Sequence, residues 1–409
     1  MDIRPIRPPS KPESLYPYCP PGTSFFLTKG GSVSLTVWLS ARTLQHSKAG
    51  GHFWVYLNWA LGLRALGCDV VWLEPIDPNI PVPEARAMIG ALKTNLESYG
   101  LDKSVALCSW TGEPISSDIK EACLDLEDAG KADLFLNLAY DIPLTIVGRY
   151  RRSALVDIDP GLTQIWMSKA EIKVARHDMY FTIGETVGKP GARFPDCGLE
   201  WHYTPPCVAL DWWPSVPAGH DASFNTVSHW YMDEWIEDQE NVFRNDKRAG
   251  FLPFLDLPRH TTQPLELALC LSADEEDERA MLQKRGWNVQ DSWKVTSTPQ
   301  DYQRYIQNSL GEFSCVKPSC VYLQNAWISD RTLCYLASGK PAVVQDTGPS
   351  RFLPEDAGLF RFRDIQEAAR CLERVTADYE QQCKLARALA EEYFDAQKVV
   401  KHVLERALN

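Results

Sequence analysis

Short apolar runs of strand length alternate along this chain with segments of helical periodicity. The first run, Ser32–Ser40, is followed by a loop that ends at Gly50–His52, a helical stripe over Phe53–Leu66 and a second run over Cys68–Leu73. A helix of this length can connect two strands by a crossover, so the strands should be parallel. Further runs of the same kind predict a doubly wound parallel sheet, and therefore an α/β fold, for residues 25–205.

The alternation starts again after a stretch rich in tryptophan and proline, Trp201–Pro217. The strands predicted there are Leu265–Leu271, Ser292–Thr296, Phe313–Val316, Pro341–Val344 and Gly358–Phe362. Helical segments between them predict a second α/β domain, with a cleft between the two domains. The predicted organisation is a proline-rich strap over 1–24, a first domain over 25–205, a connection over 206–235, a second domain over 236–390 and a C-terminal helix over 391–409.

Composition indicates which kinds of partner the protein can bind and in which cellular compartment it is found. A formal net charge of -12 argues against a nucleic-acid partner, which would be held through its phosphates by a basic surface. The 12 cysteines show no C-x-x-C spacing, which favours reduced thiols in a reducing compartment. We find no signal peptide and no apolar run near the ~18 residues of a membrane helix, so we expect a cytoplasmic protein without an integral membrane segment.

A capped helix start precedes an apolar strand in the second domain. Ser329 is a good N-cap residue, Asp330 favours the first turn, and the helix runs to Gly339-Lys340-Pro341. The strand that follows leads to the turn Asp346-Thr347-Gly348. This segment resembles the donor-binding segment of GT-B glycosyltransferases, in which a short helix ends in G-x-P and an apolar strand leads to a small polar turn.

The resemblance implies a GT-B fold, in which two Rossmann-like lobes face each other across a cleft and the C-terminal helix crosses back to the first lobe. It also implies transfer of a sugar from a nucleotide-sugar, with UDP-sugar favoured, to an acceptor that the sequence does not identify. The helix N-terminus and the Arg331 guanidinium would hold the diphosphate without a metal ion or a further cofactor. The residues assigned to the donor in this lobe are Lys317, Ser329, Asp330, Arg331, Thr332, Asp346, Thr347 and Gly348.

The first lobe resembles the same superfamily at Gly50-Gly51-His52 and the helix after it. In inverting members a histidine just after the glycine is the general base, and an aspartate orients it. The resemblance makes His52 the candidate base and Asp141 its partner, while Gly50 and Gly51 would let the backbone approach the donor. The chemistry fits, because a sugar hydroxyl is a poor nucleophile and a histidine can accept its proton.

One departure from the family concerns the donor ribose. The family usually has a glutamate five residues before the glycine of G-x-P, and this chain has Cys334 there. A thiol is a weak hydrogen-bonding group, so either another acid contacts the ribose, for which Glu312 and Glu266 are candidates, or the donor lies differently. Glu185, on a glycine-flanked turn, is a further candidate for contact with the ribose or the sugar. The first lobe has the inverting pattern and the second the retaining pattern, which leaves the stereochemistry open.

Three alternatives remain open on the sequence alone. Asp157-Ile158-Asp159 has the D-x-D form of metal-dependent transferases of a different fold. A sugar-nucleotide epimerase would use the same two lobes. The loss of the ribose glutamate also fits a protein that binds a nucleotide-sugar without turning it over.

Overall fold

The computed structural model describes residues 34–409 except 122, 239–240 and 273–274. The proline-rich strap predicted over 1–24 lies outside the described residues. The described chain forms two α/β lobes, each built around a parallel sheet. None of its helices combines the length and the apolar character that crossing a membrane requires.

The first lobe contains a seven-stranded sheet. Its strands are β1 Thr36–Ser40, β2 Asp69–Ile76, β3 Val105–Ser109, β4 Leu134–Asn137, β5 Ser153–Asp157, β6 Met179–Thr182 and β7 Trp201–Tyr203. They lie in the order β3-β2-β1-β4-β5-β6-β7, and each neighbouring pair is parallel. The connecting helices are α1 Gly50–Ala65, α2 Val82–Glu97, α3 Ser117–Lys120, α4 Leu144–Val147 and α5 Leu162–Ser168, with 3₁₀ turns at Leu44–His46 and Leu126–Lys131.

The second lobe has a six-stranded sheet and a small hairpin. Its strands are β8 Phe224–His229, β9 Trp235–Asp238, β10 Asn241–Arg244, β11 Leu265–Cys270, β12 Asn288–Asp291, β13 Gly311–Ser314, β14 Ala342–Gln345 and β15 Leu359–Phe362. The parallel sheet has the order β12-β11-β8-β13-β14-β15, and β9 and β10 form an antiparallel pair.

Nine α-helices lie in the described part of the chain after β10. They are α6 Lys247–Phe251, α7 Glu276–Lys284, α8 Ser292–Val295, α9 Pro299–Gln307, α10 Pro318–Leu323, α11 Asp330–Ala337, α12 Ile365–Ala377, α13 Tyr379–Leu389 and α14 Ala396–Leu408. Two 3₁₀ turns, Leu252–Phe254 and Leu257–Arg259, follow α6, and a π-helical turn, Ala390–Phe394, joins α13 to α14.

Two sequence-based expectations differ from the structure. The connection predicted over 206–235 contains β8, which lies at the centre of the second sheet, so this sheet begins earlier in the chain. The strand has no apolar run because Asn225 and Thr226 are buried polar positions; the Asn225 Oδ1 accepts from the Tyr335 hydroxyl at 2.6 Å. The segment Ser292–Thr296, predicted as a strand, starts as α8, because Asp291 caps a helical turn there.

The two lobes share a hydrophobic core on one side of the cleft. Helix α1 of the first lobe packs against α9, α11 and α14. The C-terminal helix α14 therefore lies on the first lobe, and Gly62 permits the close approach, because a Cβ there would come within 2.8 Å of the Ala396 Cβ. The chain is fixed at this crossing by a hydrogen bond of 2.8 Å from the Val208 N–H to the Phe394 carbonyl.

Candidate active site

A cavity of about 380 Å³ lies between the two lobes. Its first-lobe wall comes from residues that follow the carboxyl ends of β1, β4 and β5, where ligands bind in open α/β sheets. Its second-lobe wall includes residues just before and at the start of α11. Its lining includes the polar and aromatic side chains of Arg42, His46, His52, Asp159, Trp327 and Asp330.

His52 lies in the first turn of α1 and lines the cavity. Its Nε2 is 2.8 Å from the Arg42 carbonyl oxygen, which can only accept, so Nε2 carries the proton and Nδ1 holds the lone pair. Burial and the nearby His46 lower the pKa of His52 to about 4, although the bond to Arg42 opposes the shift. At neutral pH the ring is therefore uncharged and able to accept a proton.

The loop between β1 and α1 is held by a buried carboxylate that sequence reasoning missed. Glu74 of β2 is fully buried and accepts from the Thr43 N–H at 2.9 Å, the Leu44 N–H at 3.1 Å and the Trp72 indole at 2.7 Å. Burial raises its pKa, and these donors act against that shift. Glu74 thereby fixes the segment whose Arg42 carbonyl binds His52. A glutamate within an apolar strand was the available signal.

Asp141 is the predicted partner of His52, but in the structure its carboxylate pairs with Arg42 instead. Its Oδ2 lies 2.9 Å from the Arg42 Nη1, and both side chains are about one-third exposed. The physical reason is that the guanidinium, from the same loop that binds the imidazole, is the stronger ionic partner. Asp141 therefore acts on the Arg42 side chain, while the imidazole is oriented by the Arg42 backbone.

The two aspartates of the D-x-D sequence have separate environments. Asp157 is buried and accepts from Thr163 at 2.8 Å, Gln164 at 2.8 Å and Thr182 at 2.9 Å. Asp159 is instead exposed towards the cavity. Desolvation by the surrounding walls raises the pKa of Asp159 to about 6, with Lys317 opposing the shift. A single carboxylate of this motif therefore faces the cavity.

Arg331, predicted to hold the diphosphate, is engaged inside the second lobe and lies outside the cavity lining. Its Nε lies 2.8 Å from the Glu312 Oε1, its Nη1 donates to the Val227 carbonyl at 3.1 Å and its Nη2 donates to the Ser314 hydroxyl at 2.5 Å. Glu312, predicted to contact the ribose or the sugar, is fully buried and also lies outside the cavity lining. The two side chains form an ion pair that ties α11 to β13.

The other residues predicted to bind the donor in this lobe lie at the start of α11 and just before α10. Ser329 caps α11 as predicted, accepting from the Arg331 N–H at 3.3 Å, and Asp330 lines the cavity. Thr332 is buried. Lys317, just before α10, pairs with Glu234 at 2.6 Å and is close enough to lower the pKa of Asp159.

The turn 346–348 supports the loop between α10 and α11. The Thr347 hydroxyl donates to the Trp327 carbonyl at 2.7 Å, and Asp346 pairs with Arg363 at 2.6 Å. Gly348 has a φ of +112°, and a Cβ there would lie 2.9 Å from the backbone of Gln324. These contacts make the turn a support for the cavity wall at Trp327.

The glycine pair lies where the lobes touch. The Gly50 N–H donates to the Thr296 carbonyl at 3.0 Å, and a Cβ on Gly50 would be 2.0 Å from the Thr298 carbonyl oxygen. A Cβ on Gly51 would be 2.5 Å from the Tyr302 ring. Both glycines are required by the approach of the second lobe, and the predicted loop at 50–52 is the first turn of α1.

Glu185, predicted to contact the donor sugar or ribose, is buried, bonded to the second lobe and outside the cavity lining. Its carboxylate accepts hydrogen bonds from the Ser350 hydroxyl and, at 2.8 Å, from the Arg351 N–H. The contact links the lobes.

Two cationic or titratable groups near Lys317 were missed. Burial, together with Arg331, lowers the pKa of Lys247 to about 8, and its Nζ donates to the Cys315 carbonyl at 3.0 Å. Burial and Lys317 lower the pKa of His229, at the end of β8. Neither residue belongs to a recognisable motif, so only the folded sheet brings them together.

The comparisons with known proteins give the fold. No family model matches the chain, and no curated protein matches it. The chain is similar to Anabaena HepE in complex with UDP-glucose, with a TM-score of 0.55, 12% identity and coverage of 91% of this chain and 99% of that one. It is similar to sucrose-phosphate synthase from Thermosynechococcus elongatus, with a TM-score of 0.51, 12% identity and coverage of 91% and 98%.

A third similar structure is an alpha-glucosyltransferase in complex with UDP and a 13-mer DNA. Its TM-score is 0.58 at 10% identity, with coverage of 92% of this chain and 100% of that one. At such identities the likeness concerns the fold. The chain has the GT-B fold of these glycosyltransferases, with two parallel-sheet lobes of seven and six strands, which confirms the fold predicted from the sequence.

Proposed function

We propose that this protein is a glycosyltransferase that moves a sugar from a nucleoside-diphosphate sugar to an acceptor bound in the interlobe cavity. The observation that carries the proposal is the cavity itself, which lies at the strand ends of a GT-B fold and is lined by an uncharged His52. UDP-glucose is present in the similar HepE structure and UDP in the similar alpha-glucosyltransferase structure, which makes a UDP-sugar the first donor to test. The net charge of -12 argues against DNA as the acceptor.

His52 is the proposed general base. Its Nδ1 would take the proton of an acceptor hydroxyl while the oxygen of that hydroxyl bonds to the anomeric carbon. The bond from the anomeric carbon to the diphosphate oxygen breaks, and the nucleoside diphosphate leaves with the electron pair. The Arg42 carbonyl holds the ring in the required tautomer, and the Arg42–Asp141 pair steadies the segment.

The diphosphate is proposed to lie between Lys317 and the first turn of α11. An anion is favoured at a helix start, and the Asp330 carboxylate beside it would turn towards sugar hydroxyls. Lys247 and His229 would add positive charge on the same side, because a bound diphosphate raises the pKa of neighbouring cationic groups. We propose that this charge replaces a divalent metal, which predicts activity that persists in EDTA.

The test begins with binding. UDP, GDP, ADP and dTDP are added to the protein in a thermal unfolding series; a nucleotide at ~100 times its dissociation constant should stabilise the fold by about 2.7 kcal/mol. Lys317→Ala should weaken the binding about tenfold, whereas Lys131→Ala, at an exposed pair with Asp128, should leave it unchanged. No shift with any nucleotide would contradict the proposal.

A second candidate is a protein that binds a nucleotide-sugar without transferring it. Cys334, at the position of the family's ribose glutamate, is completely buried, and Arg331 is engaged internally. Tight nucleotide binding with no turnover across donors and acceptors would favour this candidate. Interconversion of the donor sugar without acceptor would instead indicate an epimerase.

The cellular compartment is also part of the proposal. Within the described part of the chain the 11 cysteines are free, and several are buried among apolar side chains. This is the pattern of a protein kept in a reducing compartment, in line with the predicted cytoplasmic location.

A further inference from the structure

The second-lobe wall of the cavity begins in an unusual backbone segment. Trp327 and Asp330 follow the loop that links α10 to α11. In this loop Gln324 has a φ of +50° and Ala326 a φ of +56°, which is the left-handed region. Residues with a Cβ rarely adopt it and remain there only where surrounding contacts hold them. The loop therefore depends on its neighbours for its shape.

Contacts from both lobes hold this loop. Within the second lobe the Ala326 N–H donates to the Thr347 carbonyl at 3.0 Å. From the first lobe, the Pro160 carbonyl accepts from the Asn325 side-chain amide at 2.6 Å, and the Glu185 N–H donates to the Asn325 carbonyl at 3.0 Å. Asn325 is buried, so each of these bonds is made away from water.

The Glu185 side chain makes a second attachment to the second lobe, at Ser350 and Arg351. Its carboxylate is 3% exposed and accepts from the Ser350 hydroxyl and from the Arg351 N–H at 2.8 Å. The Arg351 Nε adds a longer contact of 3.3 Å. A buried carboxylate is tolerated only with such a set of donors, and the second lobe supplies all three of these bonds.

We infer that Glu185 is a positioning residue that latches the lobes and thereby keeps the 324–328 loop in the shape that forms the cavity wall. Its backbone holds the loop through Asn325, and its carboxylate keeps the second lobe against it. When the lobes part, both attachments are lost together and the left-handed residues are free to relax. The effect on donor binding rests on the proposed function, whereas the latch does not.

The test changes the Glu185 carboxylate, which accepts the hydrogen bonds, and keeps the size and shape of the side chain. Glu185→Gln replaces one acceptor oxygen by an NH₂ group and removes the charge that pairs with Arg351, while the size of the side chain is unchanged. Hydrogen exchange should become faster in 324–330 and 350–353 with both sheets unchanged, and small-angle scattering should show a larger radius of gyration. The dissociation constant for UDP should rise about tenfold or more, because the competent closed state is less populated. For any donor that is turned over, KM should rise while kcat stays within about threefold.

The matched control is Glu121→Gln, which removes an exposed carboxylate paired with Arg86 inside the first lobe and should change none of these measurements. Ser350→Ala removes one donor and gives a milder test if the first variant does not fold. Unchanged exchange at 324–330, or equal acceleration in both sheets, would overturn the latch. If the wild type binds no nucleotide, the proposed function fails, while exchange and scattering still decide whether the latch exists.

Discussion

The two lobes use the polar residues predicted for the site in opposite ways. In the first lobe His52 and Asp159 reach the cavity, and burial shifts the pKa of each. In the second lobe Arg331 and Glu312 face each other inside the lobe, 2.8 Å apart. These four residues therefore face the cavity in the first lobe and an internal partner in the second.

The difference comes from what each neighbouring strand supplies. Glu312 on β13 offers Arg331 a buried carboxylate, and a buried ion of this kind must be paired and hydrogen-bonded. In the first lobe the buried carboxylate of Glu74 is satisfied by backbone and indole donors, and His52 bonds to the Arg42 carbonyl and lines the cavity. A polar residue at a helix start is available to a ligand only if the adjacent strand does not already pair with it.

The largest effect is expected for Arg331→Ala. Removing one partner leaves the Glu312 carboxylate buried without its counter-ion, which should lower the free energy of unfolding by about 3–5 kcal/mol. Urea unfolding followed by circular dichroism measures it. Arg363→Ala is the matched control, because its side chain is 70% exposed and its pair with Asp346 should contribute less than about 1 kcal/mol.

The comparison would break if Arg331→Ala kept wild-type stability but lost nucleotide binding. That result would mean that Arg331 binds the diphosphate, and that residues at the helix starts of both lobes contact the ligand.

The next effect concerns catalysis in the first lobe. His52→Ala should lower kcat by roughly 10²-fold, or about 2.7 kcal/mol of activation free energy, while UDP binding changes little. Steady-state kinetics with the best donor measures it. His202→Ala serves as control, since His202 lies in β7 beside Glu200 and outside the cavity lining. A kcat within about threefold of wild type would remove His52 as base and favour a retaining mechanism.

A smaller effect is expected where the lobes touch. Gly50→Ala would place a Cβ 2.0 Å from the Thr298 carbonyl oxygen, so the lobes must shift and the free energy of unfolding should fall by about 1–3 kcal/mol. Gly90→Ala, in exposed α2 with open space at the Cβ, should instead be stabilising by about 0.5–1 kcal/mol. Equal, small effects would mean that Gly50 is not confined by the second lobe and would revive its role as a donor cradle.

The fold was predictable because its signals are local. Apolar runs such as 68–73 mark buried strands, and Asp364 marks a helix start that the structure shows with the Asp364 side chain accepting from the Glu367 N–H. The exceptions are segments whose identity depends on distant partners. The strand β8 carries buried Asn225 and Thr226, and only the fold supplies the Tyr335 hydroxyl that satisfies Asn225.

The site was less predictable because its residues are defined by pairs. Arg331 and Glu312 are separated by 19 positions, and Glu185 lies 165 positions from Ser350. Neither separation follows from a motif, since each pair forms only when strands and lobes come together. His52 was identifiable because its place in a strand-to-helix connection is itself local.

The smallest expected effect is on the pH dependence of kcat/KM, which reports the free enzyme. With a pKa of about 4, His52 should lose only roughly a tenth of its base form at pH 5, so the rate should change little from pH 7 to 5 on its account. Asp159, with a pKa of about 6, would add a decline near pH 6 if its charge also assists, and Asp159→Asn should then remove that decline.

The free energy of unfolding, measured as a function of pH, tests the titration of His52 independently of activity. Between pH 6.5 and 4 the unfolded chain binds a proton at residue 52 that the folded protein excludes, so the free energy of unfolding should fall as the pH is lowered through this window. His52→Ala should reduce that slope, which urea unfolding at several pH values measures. An unchanged slope, together with a kcat/KM midpoint near 6.5 that persists in Asp159→Asn, would mean that His52 titrates as an ordinary exposed imidazole. The cavity wall of the first lobe would then be open to water around His52, and burial would not be what sets its polar residues apart from those of the second lobe.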